Sequence, residues 1–425
     1  MDPDTTIHII GAGFVGLTLT AHFLKTTSNS VVVVDSNIRL IQNLHNNIFQ
    51  VQEPGLHEIL ISASLSGQLT FESVEDFSEG QEVFLCISTP PRAPMNPIVD
   101  FLHQNVSKFQ LNSSVYIRST VHLGTAVKAK QYLKTVDRSD IRVFSLPERT
   151  AEGVALQEIT DLPQLVGISK GEEKHKLQEK LESFGFTDLV FEDWSTVELA
   201  KLACNVWRDY TFAFGNFMAI MGRRTNINAR KAIEIANYRY PRSLIPRPGA
   251  VGGPCLSKDA LILDESFPME DSIILKSRKI NLFLEDEVIQ DISSLIEKRS
   301  YNQVILAGMA FKGNPPTNDL RESLGIKILN HIKTHYPKLE VKYWDNSVDI
   351  PDIPRLRDEE ILSHLSDTLF VLCNDQYDFI EKLNNLRLEH SLVALQTFLY
   401  DVTGITRGLN LFDSYVFGEG NLDFS

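Results

Sequence analysis

The chain has 425 residues, of which 43% are hydrophobic and 23% charged, values typical of a folded protein with two or three domains. The formal net charge of −14 argues against a nucleic acid or an anionic membrane surface as a partner, because both require a basic face. The acidic N-terminal stretch and the lack of an apolar run of membrane-spanning length predict a soluble, cytoplasmic protein.

The first element predicts a dinucleotide-binding site. An apolar strand, Ile7–Ile10, leads directly into a glycine-rich turn that opens a helix running through about Lys25. Such glycines permit a tight turn and the close approach of a pyrophosphate, to which the helix N-terminus offers unpaired N–H groups. A glycine turn without a cofactor is the alternative. The predicted cofactor contacts in this turn are Gly11, Gly13, Phe14, Val15 and Gly16.

The second strand predicts which dinucleotide binds. Val31–Val34 is followed by Asp35, whose carboxylate is placed to accept hydrogen bonds from the adenosine ribose and to repel a 2′-phosphate. This favours NAD over NADP. Arg39 is a further predicted cofactor contact, and its positive charge leaves NADP open.

Three further apolar runs, Val83–Ser88, Val115–Ser119 and Val143–Leu146, are typical of buried parallel strands. Each is followed by polar residues, and the carboxyl ends of such strands line the ligand crevice of a doubly wound sheet. Thr89 and Thr120 are therefore predicted cofactor or water contacts, with a helix N-cap as the alternative for each.

The middle of the chain is predicted to be helical. One helix runs from Ser195 to about Arg224, with Ser195 or Thr196 as its N-cap and Glu198 in its first turn.

Lys201 and Asn205 lie four positions apart, on one face of this helix. On spacing alone, a solvated surface charge is the better interpretation of Lys201. A second helix, about Ser272 to Lys298, is long enough to brace two halves of the chain or a partner subunit, and its apolar positions fit an intramolecular core equally well.

Between the two helices, residues 248–254 contain three glycines and two prolines, which make a loop of unusual backbone shape. Cys255 follows the loop, and Asp259 faces the same side if a helix begins there, so a potential nucleophile and a potential base share one segment. A buried, inert cysteine is the alternative. The four cysteines are far apart, a spacing that fits neither a disulfide framework nor a zinc site, and no metal is expected. They are Cys86, Cys204, Cys255 and Cys373.

The last part of the chain predicts a second, smaller α/β domain, because apolar runs alternate with helical stretches. Its predicted strands lie near Gln303–Phe311, Leu339–Trp344, Thr368–Cys373 and Ser391–Gln396. The predicted fold is α/β, in three parts. Residues 1–194 form a Rossmann-like dinucleotide-binding domain, residues 195–298 a central helical segment with a long helix and the cysteine loop, and residues 299–425 a smaller Rossmann-like domain.

The chain also carries several short motifs in a fixed order: Glu53-Pro54-Gly55-Leu56, Ser88-Thr89-Pro90, Ser119-Thr120-Val121, Pro147–Gly153, Glu198–Asn205, Gly252–Asp259, Ala310-Phe311-Lys312 and Asp319–Ser323. Together they resemble the successive motifs of the UDP-glucose/GDP-mannose dehydrogenase family over nearly the whole chain. The resemblance implies NAD as cofactor and a nucleotide sugar as substrate, whose C6 alcohol is oxidised by four electrons. It also implies a homodimer or a dimer-based oligomer, since the central helical segment forms a dimer interface in relatives.

The resemblance implies roles for individual residues. Cys255 would hold the oxidised sugar as a thiohemiacetal and then a thioester. Lys201 and Asn205 would stabilise the tetrahedral oxyanions. Asp259 and Glu148, through a water near Thr120, would supply acid and base. The implied substrate contacts are Glu148, Glu152, Lys201, Asn205, Arg242, Gly252, Lys312 and Arg321.

The sugar is less well defined. Glu152-Gly153 resembles the glucose-type loop, which favours oxidation of UDP-glucose to UDP-glucuronate, with a UDP-N-acetylhexosamine or GDP-mannose 6-dehydrogenase as the alternative. The loop over residues 312–319 is longer than in the family, and no arginine near Tyr400–Gly404 matches one that some UDP-glucose enzymes have. A two-electron hydroxy-acid dehydrogenase and an NAD-binding sensor without catalysis are the other interpretations.

Overall fold

The computed structural model describes residues 5–77, 79–93, 95–299, 301–364, 367–390, 397–407 and 413–422. The chain forms two compact units. The first contains Met1–Cys204 and Leu261–Pro268, and the second contains Asn205–Ala260 and Met269–Ser425. The predicted three-part division of the chain stays a prediction. No helix among the described residues has the length and apolar character needed to cross a membrane.

The first unit is built on a sheet of eight strands. Its elements in chain order are β1 (Ile7–Ile10), α1 (Phe14–Thr26), β2 (Val31–Asp35), α2 (Ile38–His45), α3 (Leu56–Ser66), β3 (Leu69–Ser73), β4 (Gly80–Leu85), α4 (Pro97–Asn105), a short 3-10 turn (Val106–Lys108), β5 (Phe109–Ile117), α5 (Thr125–Thr135), β6 (Arg142–Ser145), α6 (Ala155–Asp161), β7 (Gln164–Ile168), α7 (Lys174–Ser183) and β8 (Leu189–Asp193).

The strand order is β3-β2-β1-β4-β5-β6-β7-β8. The first six strands in this order are parallel to one another, β7 pairs antiparallel to β6, and β8 is parallel to β7. Successive residues of a strand pack on opposite faces of the sheet. In β2, for example, Val31 and Val33 pack on one face and Val32 and Val34 on the other. The Rossmann-like fold is therefore confirmed. The carboxyl ends of β1, β2, β4, β5 and β6 lie along one edge of the sheet, where a ligand of this fold binds.

Four helices follow β8 in the sequence: α8 (Trp194–Thr225), α9 (Ala229–Asn237), α10 (Pro254–Ser266) and α11 (Ile273–Lys298). The remaining elements are β9 (Gln303–Ala307), α12 (Leu324–His335), β10 (Glu340–Trp344), a 3-10 helix (Asp358–His364), β11 (Thr368–Leu372), α13 (Tyr377–His390), β12 (Phe398–Asp401) and β13 (Asp413–Val416).

The second unit contains a smaller, fully parallel sheet in the order β10-β9-β11-β12-β13. One face packs on α11 and α12 through residues such as Leu284, Val288 and Ile328. The other face, which includes Trp344, packs on α13 through Phe379, Ile380 and Leu383. The predicted second α/β domain is thus confirmed.

Several predicted element ends were wrong by a few residues. The strand predicted over Val83–Ser88 spans Gly80–Leu85, and the one over Gln303–Phe311 ends at Ala307. Past Ala307, Met309 and Ala310 remain apolar and buried, but their backbone leaves the ladder, and both N–H groups donate to the Asp345 carboxylate instead. The predicted strand over residues 391–396 lies outside the described residues.

The start of α8 also differs from the prediction. Neither Ser195 nor Thr196 is the N-cap, because the carboxylate of Asp193 accepts hydrogen bonds from the backbone N–H groups of both. Glu198 lies beyond the first turn, since the helix begins at Trp194. Its carboxylate accepts hydrogen bonds from the backbone N–H groups of Gly124 and Ala126, at the start of α5.

Candidate active site

The glycine turn after β1 has the shape that a pyrophosphate requires. Gly11 has φ +107°, and a side chain there would lie 2.5 Å from the carbonyl oxygen of Cys86. A Cβ on Gly16 would overlap the carbonyl of Gly11 at 1.8 Å, so both glycines are needed for close packing. In contrast, nothing lies within 4 Å of the Cβ position of Gly13, at the N-terminus of α1. The open space and the unpaired N–H groups there fit the phosphates of a dinucleotide.

Asp35 ends β2 beside this turn. One of its carboxylate oxygens accepts a hydrogen bond from Ala12 N at 2.8 Å, and the other accepts one from Asn37 N at 2.8 Å. These bonds hold the carboxylate at the carboxyl edge of the sheet, where it is partly exposed. This position fits the ribose of NAD and disfavours a 2′-phosphate. Arg39 is exposed in the first turn of α2.

Thr89 and Thr120 come from neighbouring strand ends and contact each other. The hydroxyl of Thr89 donates to the carbonyl oxygen of Thr120. Ser119 supports the same edge, because its hydroxyl donates to the carbonyl of Ile87 at 2.7 Å. Neither threonine caps a helix, since α4 and α5 begin several residues later at Pro97 and Thr125. The helix-cap interpretation is therefore wrong.

Glu148 follows β6 and is buried, with one carboxylate oxygen accepting from the backbone N–H of Thr150. Its own N–H donates to the carbonyl of Arg118 at 3.0 Å. The Arg118 guanidinium is also buried and donates to Leu146 O at 3.0 Å and to the Gln164 side chain at 2.9 Å. Burial lowers the pKa of Arg118, and the nearby charge of Glu148 opposes that change.

The segment after Glu148 is shaped by Glu53, from the motif Glu53-Pro54-Gly55-Leu56. The carboxylate of Glu53 accepts hydrogen bonds from Gly153 N at 2.6 Å and from Ala155 N at 2.5 Å. It thereby satisfies the first N–H group of α6, that of Ala155, and the N–H group of Gly153 just before the helix. Glu152, a predicted substrate contact, is partly exposed next to Gly153.

Lys201 and Asn205 both lie on α8, four positions apart. The side chain of Lys201 is not a surface charge, since the residue is only 8% exposed. Asn205 is partly exposed, and its amide donates to the carboxylate of Asp259 at 2.6 Å. The other oxygen of Asp259 is buried and has no hydrogen-bond partner among the described residues. The Lys258 ammonium lies 3.7 Å from it.

A helix, α10, begins at Pro254, directly after the glycine loop, which meets the condition set for Cys255 and Asp259 in the sequence. Cys255 therefore lies in the first turn, and Asp259 follows one turn later. Cys255 is exposed, so the interpretation as a buried, inert cysteine is wrong. Its thiol is therefore accessible from solvent, as a nucleophile requires.

The other three cysteines are less suited to act as nucleophiles. Burial raises the pKa of the Cys86 thiol to about 12 and also raises the pKa of Cys373. Both are therefore protonated at neutral pH. Cys204 is exposed but lies within α8, far from either end of that helix.

The glycines of the cysteine loop pack closely against the segment after β9. Side chains on Gly252 and Gly253 would lie 2.9 Å from atoms of Phe311, and Gly253 has φ +82°. The N–H of Gly253 donates to the carbonyl of Arg321 at 3.1 Å. The structure thus brings the predicted contacts Gly252 and Arg321 into one region of the second unit.

The remaining predicted substrate contacts are cationic. Lys312 is partly exposed, with its ammonium 5.6 Å from the centre of the Phe311 ring. The exposed guanidinium of Arg321 donates to both carboxylate oxygens of Asp319. Arg242 is exposed, with its guanidinium 5.8 Å from the ring centre of Tyr240. The long loop after Lys312 is held by Asp375, which accepts from Gly313 N at 2.7 Å.

The fold and these sites define a Rossmann-type dinucleotide-binding oxidoreductase whose chain also carries an exposed cysteine at the start of a helix. The sequence profile of the UDP-glucose/GDP-mannose dehydrogenase family matches its NAD binding domain to residues 5–184 and its central domain to residues 195–281. The chain belongs to this family. Its cofactor is NAD, and it is an oxidoreductase of the nucleotide-sugar dehydrogenase class, as predicted.

Curated relatives match most of the chain. A UDP-N-acetyl-D-mannosamine dehydrogenase of Pyrococcus horikoshii is 27% identical over 354 residues, which cover 80% of this chain and 83% of that protein. An NDP-N-acetyl-D-galactosaminuronic acid dehydrogenase of Ralstonia nicotianae is 26% identical over 341 residues, covering 76% and 79%. The solved structure of the UDP-D-ManNAc dehydrogenase from Pyrococcus horikoshii has the same fold, with a TM-score of 0.81, 23% identity, and coverage of 98% and 100%.

Proposed function

We propose that this protein oxidises the C6 alcohol of a UDP-N-acetylhexosamine to the carboxylate, using two NAD per sugar. The observation that carries the sugar assignment is the similarity, over 80% and 76% of the chain, to dehydrogenases of N-acetylated nucleotide sugars. This similarity favours a UDP-N-acetylhexosamine over UDP-glucose. UDP-glucose is the second candidate, because Glu152-Gly153 resembles the glucose-type loop.

The residues of the first unit would hold the cofactor. Gly11, Gly13 and Gly16 leave room for the pyrophosphate, and Asp35 is placed for the ribose. NAD held there would supply the hydride acceptor for both oxidation steps.

Cys255 would retain the sugar between the two steps. Its thiolate adds to the aldehyde carbon to give a thiohemiacetal, and loss of the second hydride from that carbon gives a thioester. Water then cleaves the C–S bond, which releases the carboxylate and restores the thiol. The exposure of Cys255 in the first turn of α10 supports this role.

Other polar groups would move protons and stabilise charge. Asp259 is buried, and one of its oxygens has no hydrogen-bond partner among the described residues, which suits a group that exchanges protons with a bound water. Its other oxygen is held by Asn205. Lys201 would donate to the oxyanion formed at the sugar carbon, and its burial strengthens such an interaction. Glu148 and Thr120 remain proposed acid–base and water-holding groups.

The substrate contacts are proposed on the same basis. Glu152 and Gly252 would contact the sugar, and the cations Arg242, Lys312 and Arg321 would pair with phosphate or nucleotide oxygens. The partial or full exposure of these cations supports the assignment.

A substrate panel tests the function. Purified protein is given NAD and, in turn, UDP-N-acetylmannosamine, UDP-N-acetylglucosamine, UDP-N-acetylgalactosamine, UDP-glucose and GDP-mannose, and NADH and carboxylate are quantified. We expect the highest kcat/KM with a UDP-N-acetylhexosamine and two NADH per carboxylate. A preference for UDP-glucose would support the second candidate, and one NADH per sugar would refute the cysteine mechanism.

Cys255→Ser tests the thioester step, with Cys204→Ser as the matched control. An oxygen ester hydrolyses more slowly than a thioester, so Cys255→Ser should stall and retain bound sugar, detectable by intact-protein mass spectrometry. Cys204→Ser should turn over normally. Equal turnover of the two variants would contradict the proposal.

We also propose a homodimer. α8 exposes a row of large apolar side chains in the second unit, among them Trp207, Phe214, Phe217 and Met221. Such a surface is typical of an interface. Analytical ultracentrifugation should give twice the mass of the chain, and Phe214→Glu should lower it to the mass of one chain.

A further inference from the structure

The loop that precedes Cys255 is held in the second unit at several backbone positions. Just before the loop, the Pro246 carbonyl lies so close to Gly215 of α8 that a Cβ on Gly215 would be 2.5 Å from its oxygen. Asn216 of α8 then accepts a hydrogen bond from Gly249 N at 2.9 Å. At its end, Gly253 N donates to Arg321 O at 3.1 Å. Because the backbone is held by distinct partners, each partner is a candidate for positioning the cysteine that follows.

A further partner of the loop is Arg230, on α9, whose side chain donates hydrogen bonds to several backbone carbonyls. Its guanidinium is almost completely buried, with the residue 3% exposed. One Nη2 proton is directed to the carbonyl of Pro248 at 3.1 Å, within the cysteine loop. The other N–H groups donate to three carbonyls in the last part of the chain: Val402 at 2.7 Å, Thr403 at 2.8 Å and Phe417 at 2.6 Å. Arg230 therefore joins the cysteine loop to the residues that follow β12 and β13.

These acceptors are themselves fixed. The carboxylate of Asp401 accepts hydrogen bonds from Thr403 N, Gly404 N and Thr406 N at 2.7 to 2.9 Å, which sets the turn after β12. Gly404 has φ +78°, and a Cβ there would lie 2.5 Å from Nη1 of Arg230. The turn is thus shaped around the guanidinium.

A lysine could not replace this arginine. The planar guanidinium presents N–H groups on three nitrogens to carbonyls in different directions, whereas an ammonium has a single nitrogen. Burial lowers the pKa of Arg230 to about 10, against the opposing charges of Asp401 and Glu419, so the guanidinium stays protonated at neutral pH.

We propose that Arg230 is a positioning residue for Cys255: by holding Pro248 to the carboxyl ends of β12 and β13, it fixes where the loop presents the thiol. The proposal rests on the proposed function, in which Cys255 carries the sugar between the two oxidations. Only the step that requires Cys255 depends on this position, since the first hydride leaves the alcohol before the thiol reacts.

Arg230→Lys tests the proposal, with Arg223→Lys as the matched control. Arg223 forms ion pairs with Glu287 and Asp291 in the same unit, and in the described part of the chain none of its hydrogen bonds goes to the loop. Amide hydrogen exchange of residues 246–256 should be faster in Arg230→Lys and unchanged in Arg223→Lys. With substrate, Arg230→Lys should lose about 10- to 100-fold in kcat, because a misplacement near 1 Å costs about that much, while KM for NAD is unchanged.

The distinguishing measurement is the fate of the aldehyde. In Arg230→Lys the aldehyde should escape capture and be trapped by added hydroxylamine, with fewer than two NADH per sugar, whereas the wild type and Arg223→Lys should give no trapped product. If the exchange of residues 246–256 and the trapped aldehyde are the same in both variants, Arg230 does not position Cys255. If the wild type oxidises no nucleotide sugar, the proposed function fails, while hydrogen exchange still reports whether Arg230 holds the loop.

A second variant covers the case in which Arg230→Lys does not fold. Gly404→Ala leaves Arg230 in place but puts a methyl group against its Nη1, so it should also release aldehyde. Gly171→Ala is its control, because Gly171 has a similar φ of +87° but nothing within 4 Å of its Cβ position. Equal aldehyde yields from these two variants would overturn the proposal.

Discussion

Replacing Glu53 by alanine should loosen the segment that carries Glu148 and Glu152. In the native protein the Glu53 carboxylate accepts two short hydrogen bonds, from Gly153 N at 2.6 Å and Ala155 N at 2.5 Å. Alanine removes both acceptors. The N–H group of Ala155, the first residue of α6, then loses its acceptor, and no carbonyl within that helix can accept from it.

The size of the effect follows from burial. Ala155 is 0% exposed, so its N–H cannot be rehydrated, and an unsatisfied buried donor costs about 1–3 kcal/mol. Gly153 is partly exposed, so water replaces part of its lost bond. Loss of a negative charge near a helix N-terminus adds about 0.3–1 kcal/mol. Together, Glu53→Ala should destabilise the first unit by about 2–4 kcal/mol, and Glu53→Gln by about half of that, because its amide keeps one acceptor oxygen.

The assay compares Glu53→Ala and Glu53→Gln with Glu58→Ala, an exposed position on α3. Urea unfolding of the first unit gives the stability, and hydrogen exchange of residues 148–161 gives the local effect. We expect the loss of stability and the increase in hydrogen exchange to be largest in Glu53→Ala, smaller in Glu53→Gln and absent in Glu58→Ala. Under the proposed function, KM for the nucleotide sugar should rise more than kcat falls, since Glu152 adjoins Gly153. If Glu53→Ala and Glu58→Ala have the same stability and exchange, the two hydrogen bonds do not order this segment.

Three further predictions concern single residues. Asp35→Ala should narrow the preference for NAD over NADP, measured as the ratio of kcat/KM values, because repulsion of the 2′-phosphate is lost; equal use of both cofactors by the wild type would contradict the assignment. Lys201→Ala should lower kcat by about 10²–10³-fold with little change in KM, as expected for a donor that acts in the transition state. Burial lowers the pKa of His22 from 6.5 to about 4, so between these pH values His22 is protonated more readily in the unfolded state than in the folded state. The folded state therefore loses stability as the pH falls from about 6.5 to 4. Urea unfolding should show a smaller loss over this pH range in His22→Gln, whereas the exposed control His175→Gln should match the wild type.

Local patterns in the sequence predicted most of the fold. β1 and β2 match the predicted strands because continuous apolar runs such as Val31–Val34 end at a glycine or a carboxylate. A helix beginning near Cys255 was a condition of the predicted site rather than a prediction, and α10 meets it by starting at Pro254. The N-cap of α8 was predicted wrongly, since Asp193, Ser195 and Thr196 are all good N-caps and only the backbone geometry decides between them.

The burial of site residues could not be predicted in the same way. Lys201 has the spacing of a surface residue, and its burial depends on contacts made by residues distant in sequence. Arg230 gave no signal at all, because its partners are backbone carbonyls, which every residue possesses. Arg118 did give a signal, as a charged residue directly after the apolar run of β5, but the sequence does not reveal that Gln164 and Leu146 are its partners.

The second unit repeats a contact of the first in a form that no contiguous motif could reveal. In the first unit, a Cβ on Gly16 would strike the carbonyl of Gly11, and Asp35 accepts from the turn between them. In the second, a Cβ on Gly325 would lie 2.7 Å from the carbonyl of Gly308, and Asp345 accepts from Met309 N at 2.8 Å.

The difference between the two units lies in what separates the paired glycines. In the first unit a short turn leaves the N-terminus of α1 open at Gly13, as a pyrophosphate requires. In the second, the segment from Met309 to Ser323 is inserted between Gly308 and α12, and its Phe311 and Arg321 contact the cysteine loop. The two units therefore share the same strand–helix packing but differ in the length of the connection. The short connection leaves the strand end open to a ligand, and the long one supplies residues that contact the loop before Cys255.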